Sequence, residues 1–173
     1  MVIGADYSQA ITIIREMKRQ GMIKPVIGGT PLISSAILAA APDIAIVAPA
    51  TFYATMKTPA AEKFVSTLQP LLRKTSGLPP DIEPSMYDAN IYEIVHMYVD
   101  AVKHGSIAGN PADLAADRVK VRDYLTNLKG FEGFSGPIHF GPDGDAVKTF
   151  FIVQGQNGAW QTKESACSVE GGC

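Results

Sequence analysis

The residues of this chain that could do chemistry are few, and they stand apart from one another. The three histidines, His96, His104 and His139, are scattered along the chain, and none has another histidine or a cysteine four residues away. A catalytic or metal-binding histidine ordinarily works with another titratable group within hydrogen-bonding reach. The pattern therefore predicts neither a catalytic centre nor a metal site at these positions.

Three glycine-containing motifs look like functional loops but lack their essential parts. Gly28 and Gly29 follow an apolar run without the remainder of a nucleotide-binding pattern. Residues 133–136 (GFSG) resemble a nucleophile elbow, but Pro137 stands where the last glycine belongs. Residues 143–145 (DGD) lack the further ligands of a calcium loop. Each motif is better explained as a tight turn, so we expect no catalytic residue, no cofactor and no enzyme activity.

Length, composition and charge indicate a single packed domain. The chain has 173 residues, of which 46% are hydrophobic and 18% charged, which excludes a disordered protein. Fifteen basic and 17 acidic residues give a net charge of -2, so nothing suggests nucleic acid or an anionic membrane as partner. The longest apolar run, residues 36–50, is interrupted by Pro42 and Asp43 and is too short to span a bilayer.

The two ends of the chain bear on where it resides. Met1 to Ile3 is apolar but has no basic stretch before it, so the signal sequence of an exported protein would have to lie upstream. Cys167 and Cys173 lie within the last seven residues. They form either a small disulfide loop in an oxidising compartment or a tail with two free thiols.

The first third of the chain alternates between short apolar runs and helical patterns. Strands are predicted at residues 1–3, 24–28 and 44–48, with helices between them, one ending at Gly21 and one over residues 32–41. This order is typical of a doubly wound α/β fold with a parallel sheet. Because such a sheet needs its strands paired and covered on both sides, we expect the chain to begin in mid-fold.

The remaining two thirds are predicted to be helical and then β. A helix begins near Pro59, and Pro70 should kink or divide it. A helix over residues 85–104 carries a broad apolar face, expected to point inward, that comprises Tyr87, Ile91, Ile94, Val95, Tyr98 and Val102. The helix over residues 112–128 should turn Leu114, Val121, Leu125 and Leu128 inward. Strands follow at residues 136–140 and 148–154, then a turn at 156–158 and a last strand from Trp160.

Three short segments, in this order and spacing, carry a family resemblance. They are residues 87–89 (YDA) at a helix start, 130–136 (GFEGFSG) and 140–145 (FGPDGD). The chain up to about Trp160 resembles the C-terminal half of type I periplasmic solute-binding proteins, in the leucine/isoleucine/valine-binding branch that serves ABC importers. The resemblance implies a partial fold of that type, with doubly wound parallel sheet elements and a C-terminal β-hairpin.

Members of that family have two lobes that close on a ligand. The resemblance implies that residues 1–48 are part of the second (C-terminal) lobe, that 49–53 are a hinge crossing, and that 54–148 return to the first lobe. Residues 149–173 would recross the hinge and supply the final strands and the cysteine-containing tail. Much of the family's ligand site then has no counterpart in this chain.

Five residues correspond by resemblance to cleft-facing positions: Asp6, Tyr7, Gly29, Thr30 and Tyr87. In amino-acid-binding members an acidic side chain near Thr30 holds the ligand ammonium, which needs a carboxylate when it is buried. Threonine stands there in this chain, so an amino-acid ligand requires Asp6 to supply the charge. Tyr7 or Tyr87 could cover an apolar ligand body. The structural alternatives are helix N-caps at Asp6 and Thr30 and a core position for Tyr87.

The resemblance implies an extracytoplasmic, non-enzymatic solute-binding component of an ABC importer. Its partners would be a small organic solute (a branched-chain amino acid or a related or aromatic acid) and, in a full-length protein, an ABC permease, with no nucleic acid. The alternatives are a cytoplasmic ligand-sensing regulator of the same fold, an enzyme of Rossmann-like fold, and a truncated product without ligand. Strand edges and apolar surface left uncovered by the missing half predict that the chain forms a homo-oligomer or swapped dimer, or requires its missing partner segment. Because much of the ligand site is missing, we also expect weak or absent ligand binding by the chain alone.

Overall fold

The computed structural model describes residues 1–78 and 82–167 of the chain. The α-helices are α1 Tyr7–Arg19, α2 Ser35–Ala40, α3 Pro59–Lys74, α4 Met86–His104 and α5 Leu114–Thr126. The strands are β1 Val2–Ile3, β2 Val26–Gly28, β3 Ile46–Ala50, β4 Phe131–Gly133, β5 Gly136–Phe140, β6 Ala146–Val147, β7 Thr149–Gln156 and β8 Ala159–Cys167. Within the described ranges, no helix is both long enough and apolar enough to cross a membrane.

The chain divides into two compact units. Unit 1 comprises residues 1–86 and 150–166, and unit 2 contains residues 87–149. Residues 54–86 thus cluster with the first strands, whereas the family resemblance groups residues 54–148 together. The assignment of these units to the lobes of a solute-binding protein stays a prediction.

Unit 1 is built on a five-stranded sheet in the order β1-β2-β3-β7-β8. The first three strands are parallel, with Ile3 opposite Gly28 and Ile27 opposite Val47. β7 runs antiparallel to β3 and is followed by β8 after a turn at Asn157 and Gly158, both at positive φ. The predicted α/β fold with parallel strands and a C-terminal hairpin is confirmed.

Helix α1 covers one side of this sheet, as its periodicity predicts. Ala10, Ile14 and Met17 are buried along a single face. The helix stops at Gly21, whose φ of +73° only glycine adopts without strain. Ile13 lies at the margin of this face and is 36% exposed. The apolar periodicity of the sequence is thus enough to specify helix α1 and most of its buried face.

The predicted helix over residues 32–41 is wrong, and Pro70 does not divide the helix that contains it. Residues 32–41 do not form one helix: a 3₁₀ turn at Thr30–Leu32 is followed by α2, because the Ser34 side chain accepts the Ala36 N–H at 3.1 Å and caps a new start. Pro70 does not divide α3, which continues through it to Lys74. Pro70 is exposed, so the carbonyl group that it leaves without a backbone donor can be hydrated.

Unit 2 consists of α4 and α5 with a small antiparallel sheet in the order β4-β5-β6. Met97, Leu128 and Ile138 form its buried centre, and Tyr124, Leu125, Phe131 and Phe140 pack around them. The strands bring the 133–136 turn against α4. Helices and sheet together therefore enclose a core of modest size.

The predicted inward faces of both long helices in unit 2 need correction. The buried face of α4 comprises Ala89, Glu93, Met97 and Ala101. The residues predicted to point inward are exposed instead, by 39% to 60%: Tyr87, Ile91, Ile94, Val95, Tyr98 and Val102. On α5, Leu114 is 52% exposed while Asp117 is buried. The prediction holds for Leu125 and Leu128, which pack into the core of unit 2. Both helices carry apolar residues around much of their circumference, so periodicity alone does not choose the face that packs.

Candidate ligand-binding edge

Four of the five predicted site residues lie at one edge of the unit 1 sheet. Asp6 and Tyr7 follow β1, and Gly29 and Thr30 follow β2. Since β1, β2 and β3 are parallel, their carboxyl ends meet at the same edge. We use the name carboxyl edge for the loops after these three strands, residues 4–7, 29–30 and 51–55. Open α/β sheets bind ligands at this end of their strands.

The loop after β1 presents one acid and one aromatic ring to solvent. Asp6 is the N-cap residue of α1, as the structural alternative predicted, and its N–H donates to Gln9 Oε1 at 3.4 Å. Tyr7 is the first helical residue and is 52% exposed. The Asp6 side chain is exposed as well. The charge of Asp6 is therefore held at the edge of the sheet rather than buried.

The loop after β2 is shaped by the close approach of Gly28 to its neighbours. A Cβ atom on Gly28 would clash with the Leu32 side chain and would lie 2.8 Å from the Ile3 carbonyl oxygen. Only glycine fits, and the chain then turns through Gly29 into the 3₁₀ turn, with the Leu32 N–H donating to the Gly29 oxygen at 3.0 Å. Gly29 is the cap residue, so the alternative that Thr30 is the N-cap is wrong. Thr30 is half-buried at the start of the turn.

The loop after β3 belongs to the same edge, although the sequence marked it only as a hinge crossing. The hydroxyl groups of Tyr53 and Thr162 lie 2.7 Å apart. Thr55 Oγ1 donates to the Trp160 carbonyl oxygen at 3.1 Å. These contacts fasten the loop to β8, more than 100 positions later in the chain. No local signal in the sequence identifies them, because the pairing depends on where β8 joins the sheet.

Tyr87, the fifth predicted site residue, lies in unit 2. It is the second residue of α4 and is 60% exposed, so the alternative that it belongs to the core is wrong for the described chain. The structure thus brings Asp6, Tyr7, Gly29 and Thr30 to one edge and presents Tyr87 on the surface of the other unit. All five are available to solvent in part or in full.

Two acids of unit 1 whose pKa is lowered lie away from the carboxyl edge. The pKa of Glu16 is lowered by its hydrogen bonds from Arg19 and Gln20, and the pKa of Asp43 is lowered chiefly by its hydrogen bond from Lys18. Both acids lie toward the opposite edge, near the end of α1 and before β3. In the part of the chain that the structure describes, no three His, Cys, Asp or Glu residues are grouped to hold a metal ion. The carboxyl edge offers one carboxylate, hydroxyl groups, aromatic surface and backbone N–H groups.

Comparisons with solved structures find the same fold in larger proteins. The leucine-binding protein LivK of Thermotoga maritima aligns with a TM-score of 0.70 at 19% identity, over 95% of this chain and 43% of its own. The protein LivJ of Streptococcus pneumoniae, solved with isoleucine, gives 0.71 at 24% identity over 96% and 43%. A solute-binding protein of R. palustris, solved with benzoate, gives 0.73 at 14% identity over 95% and 42%. At these identities the likeness establishes the fold.

The chain therefore spans less than half the length of the structures that it resembles. A comparison with curated protein sequences gives no significant match. The family model for periplasmic binding proteins, however, matches residues 1–159, which is nearly the whole described chain. By that match and by its fold, this chain belongs to the periplasmic binding protein family.

Proposed function

We propose that this chain supplies one wall of the solute site in the binding component of an ABC importer. The observation that carries the proposal is the convergence of Asp6, Tyr7, Gly29 and Thr30 at the carboxyl edge of the parallel strands. The loops after β1 and β2 carry the carboxylate of Asp6, the ring of Tyr7 and the hydroxyl group of Thr30. Family membership supports a carrier of small solutes that acts outside the cytoplasm and delivers them to a permease.

The side chains at this edge favour a solute with an apolar body and one or two charged groups. Tyr7 offers an exposed aromatic surface, and the backbone N–H groups of the loop after β2 can donate to a carboxylate. Asp6 is the acid of the carboxyl edge, and it is the group that can receive an ammonium. A branched-chain amino acid would use Asp6, whereas an aromatic acid would not need it. The relatives solved with isoleucine and with benzoate represent these two classes.

A titration followed by amide NMR tests the proposal on the chain itself. We expect isoleucine or benzoate, added to the ¹⁵N-labelled chain up to millimolar concentrations, to shift the amide signals of Asp6, Tyr7, Gly29 and Thr30 together. The turn at Asn157 and Gly158 is the internal control, because β7 is antiparallel to β3 and its end lies at the opposite edge. Weak affinity is expected, since one wall provides only part of the contacts.

The variant Asp6→Asn separates the two classes of solute. It should abolish the shifts caused by isoleucine and leave those caused by benzoate, because only the amino acid carries an ammonium. Identical responses of the variant and the parent chain to isoleucine would exclude Asp6 as the ammonium partner. Shifts confined to residues 157–158, or no shifts with either solute, would contradict the proposal as a whole.

A further inference from the structure

The hairpin formed by β7 and β8 turns on an Asn-Gly pair that lies in solvent. Asn157 and Gly158 both have positive φ, at +54° and +78°. Positive φ at both central residues is the mark of a type I′ turn, for which Asn-Gly is a preferred pair. The Asn157 side chain is exposed and has no hydrogen-bond partner among the residues that the structure describes. Its carboxamide group is therefore open to water on a tight turn.

The other three asparagines of the sequence are engaged by hydrogen bonds and are followed by bulkier residues. Each uses its side chain in a contact: Asn90 with the Lys148 ammonium at 3.4 Å, Asn110 with the Ala112 N–H at 3.1 Å, and Asn127 with the Asp123 carbonyl oxygen at 2.8 Å. The residues that follow them are isoleucine, proline and leucine. Proline has no N–H, and the other two side chains crowd the backbone nitrogen beside them. Asn157 differs in both respects, because glycine follows it.

An asparagine in this setting reacts with its own backbone. The Gly158 nitrogen, after losing its proton to base in water, attacks the side-chain carbonyl carbon of Asn157. A new C–N bond closes a cyclic imide, the bond from that carbon to the amide nitrogen breaks, and the nitrogen leaves as ammonia. Water then opens the imide. The net change is hydrolysis of an amide to an acid and ammonia, with nothing oxidised or reduced.

The imide opens at either of two bonds, and the two products affect the hairpin differently. Opening at the former side-chain carbonyl gives aspartate, and Asp-Gly is also a preferred pair of this turn type. Opening at the backbone carbonyl gives isoaspartate, in which the main chain runs through the side-chain carbon and is one atom longer. Because the turn fixes the register of the strands that it joins, the extra atom disrupts the pairing nearest the turn.

The pairing nearest the turn lies against the core of unit 1. Trp160 is the second residue of β8 and is only 7% exposed. A Cβ atom on Gly155 of β7 would lie 2.8 Å from Trp160 Cζ3, so the indole packs closely on that strand. Gly155 is in turn paired with Ile46 of β3. Loss of pairing at this end of the hairpin would let the indole move into water.

We propose that Asn157 is a site of spontaneous deamidation, and that its isoaspartate product opens the end of the β7–β8 hairpin next to the turn. The site is independent of the carboxyl edge and of any solute. The turn slows the reaction without preventing it, since ring closure requires the Asn157 backbone to leave the left-handed conformation for short periods.

Ageing of the 173-residue chain in mildly alkaline buffer, followed by trypsin digestion and mass spectrometry, tests the site. Cleavage after two lysines releases residues 149–163, in which Asn157 is the only asparagine. We expect this peptide to lose its amide with first-order kinetics while the other three asparagines keep theirs. A synthetic peptide of residues 149–163 should convert faster, because nothing holds its turn. Earlier conversion at another asparagine, or no conversion at position 157 while the synthetic peptide converts, would overturn the proposed site.

Fluorescence of Trp160, the single tryptophan of the sequence, tests the consequence for the hairpin. Aged chain that contains isoaspartate should emit at longer wavelength. Asn157→Asp is the other product and should keep the emission of the parent chain. Asn157→Gln closes its larger ring far more slowly and should show no shift on ageing. Unchanged emission in a chain that electron-transfer fragmentation shows to contain isoaspartate, or an equal shift in aged Asn157→Gln, would overturn the opening of the hairpin.

Discussion

Lys148 Nζ lies 2.8 Å from Glu93 Oε2, in an ion pair whose side chains are only 14% and 6% exposed. The other carboxylate oxygen, Oε1, accepts the Phe134 N–H at 2.8 Å. One buried acid on α4 thus holds the 133–136 turn and the segment between β6 and β7. A Cβ atom on Gly133 would lie 2.7 Å from Glu93 Oε1, so this network also explains the glycine at that position.

Removal of the Glu93 carboxylate should strongly destabilise unit 2. In Glu93→Ala the Lys148 ammonium and the Phe134 N–H lose a buried partner, and such losses cost about 3–5 kcal/mol. Urea unfolding followed by the helix signal measures the change. Hydrogen exchange at the Phe134 amide adds a local readout: its protection should fall in Glu93→Ala and be largely kept in Glu93→Gln, whose amide oxygen can still accept. The control Asp123→Asn removes an exposed pair with Arg122 and should change little.

Gly155→Ala should destabilise unit 1, because β7 has no room for a side chain there. An added Cβ would clash with Leu38 and would lie 2.8 Å from Trp160 Cζ3. Overpacking of this kind costs about 1–3 kcal/mol. Because the Trp160 indole lies beside Gly155, the clash should change the unfolding midpoint and the fluorescence emission of Trp160 together. Gly4→Ala is the matched control, since its Cβ would meet no atom within 4 Å; an equal effect of both substitutions would show that the clash is not the cause.

Thr30→Asp should shift the preference of the carboxyl edge toward amino acids. The substitution restores an acid where the resemblance to amino-acid-binding proteins expects one, and the start of the 3₁₀ turn tolerates it. We expect stronger binding of isoleucine and weaker binding of benzoate than in the parent chain, measured by the same NMR titration. Asn157→Asp adds the same charge at the opposite edge and should alter neither. If Thr30→Asp strengthens the binding of both isoleucine and benzoate, or strengthens the binding of neither, position 30 does not select between the two solutes.

Acid should weaken the attachment of α1 to the loop before β3. The hydrogen bond from Lys18 to Asp43, at 2.7 Å, lowers the pKa of that carboxyl below its ordinary value of 3.8. A group whose pKa is lower in the folded state stabilises the protein above the unfolded value and loses this contribution as the pH falls through the folded pKa. In Asp43→Asn the melting temperature should therefore depend less on pH below about 4 than in the parent chain.

Salt provides the control for this pH dependence, because exposed pairs are screened. Adding molar salt to the parent chain should bring its profile closer to that of Asp43→Asn, without changing the variant itself to the same extent. Parallel profiles of the two proteins from neutral pH to pH 3 would show that the Lys18 contact contributes nothing measurable.

Part of this fold could be predicted from the sequence because its signals are local. The apolar repeat of Ala10, Ile14 and Met17 specifies the buried face of α1, and Gly21 specifies its end. The turn at Asn157 and Gly158 follows from residues that accept positive φ. The parallel order of β1, β2 and β3 follows from helical connections between short apolar strands. The choice of Asp6 and Thr30 as site residues came from the family resemblance and stays a prediction.

Only the tertiary structure decided which side of each long helix is buried and what fastens the loops. Helix α4 is apolar around much of its circumference, and its small residues Ala89 and Ala101 permit the close packing that selects their side. The partners of Glu93 and Tyr53 are separated from them by 41 and 109 positions, so no periodicity connects them. An apolar repeat in the sequence identifies residues that lie one turn apart on the same face of a helix. Burial depends on segments that are distant in the sequence.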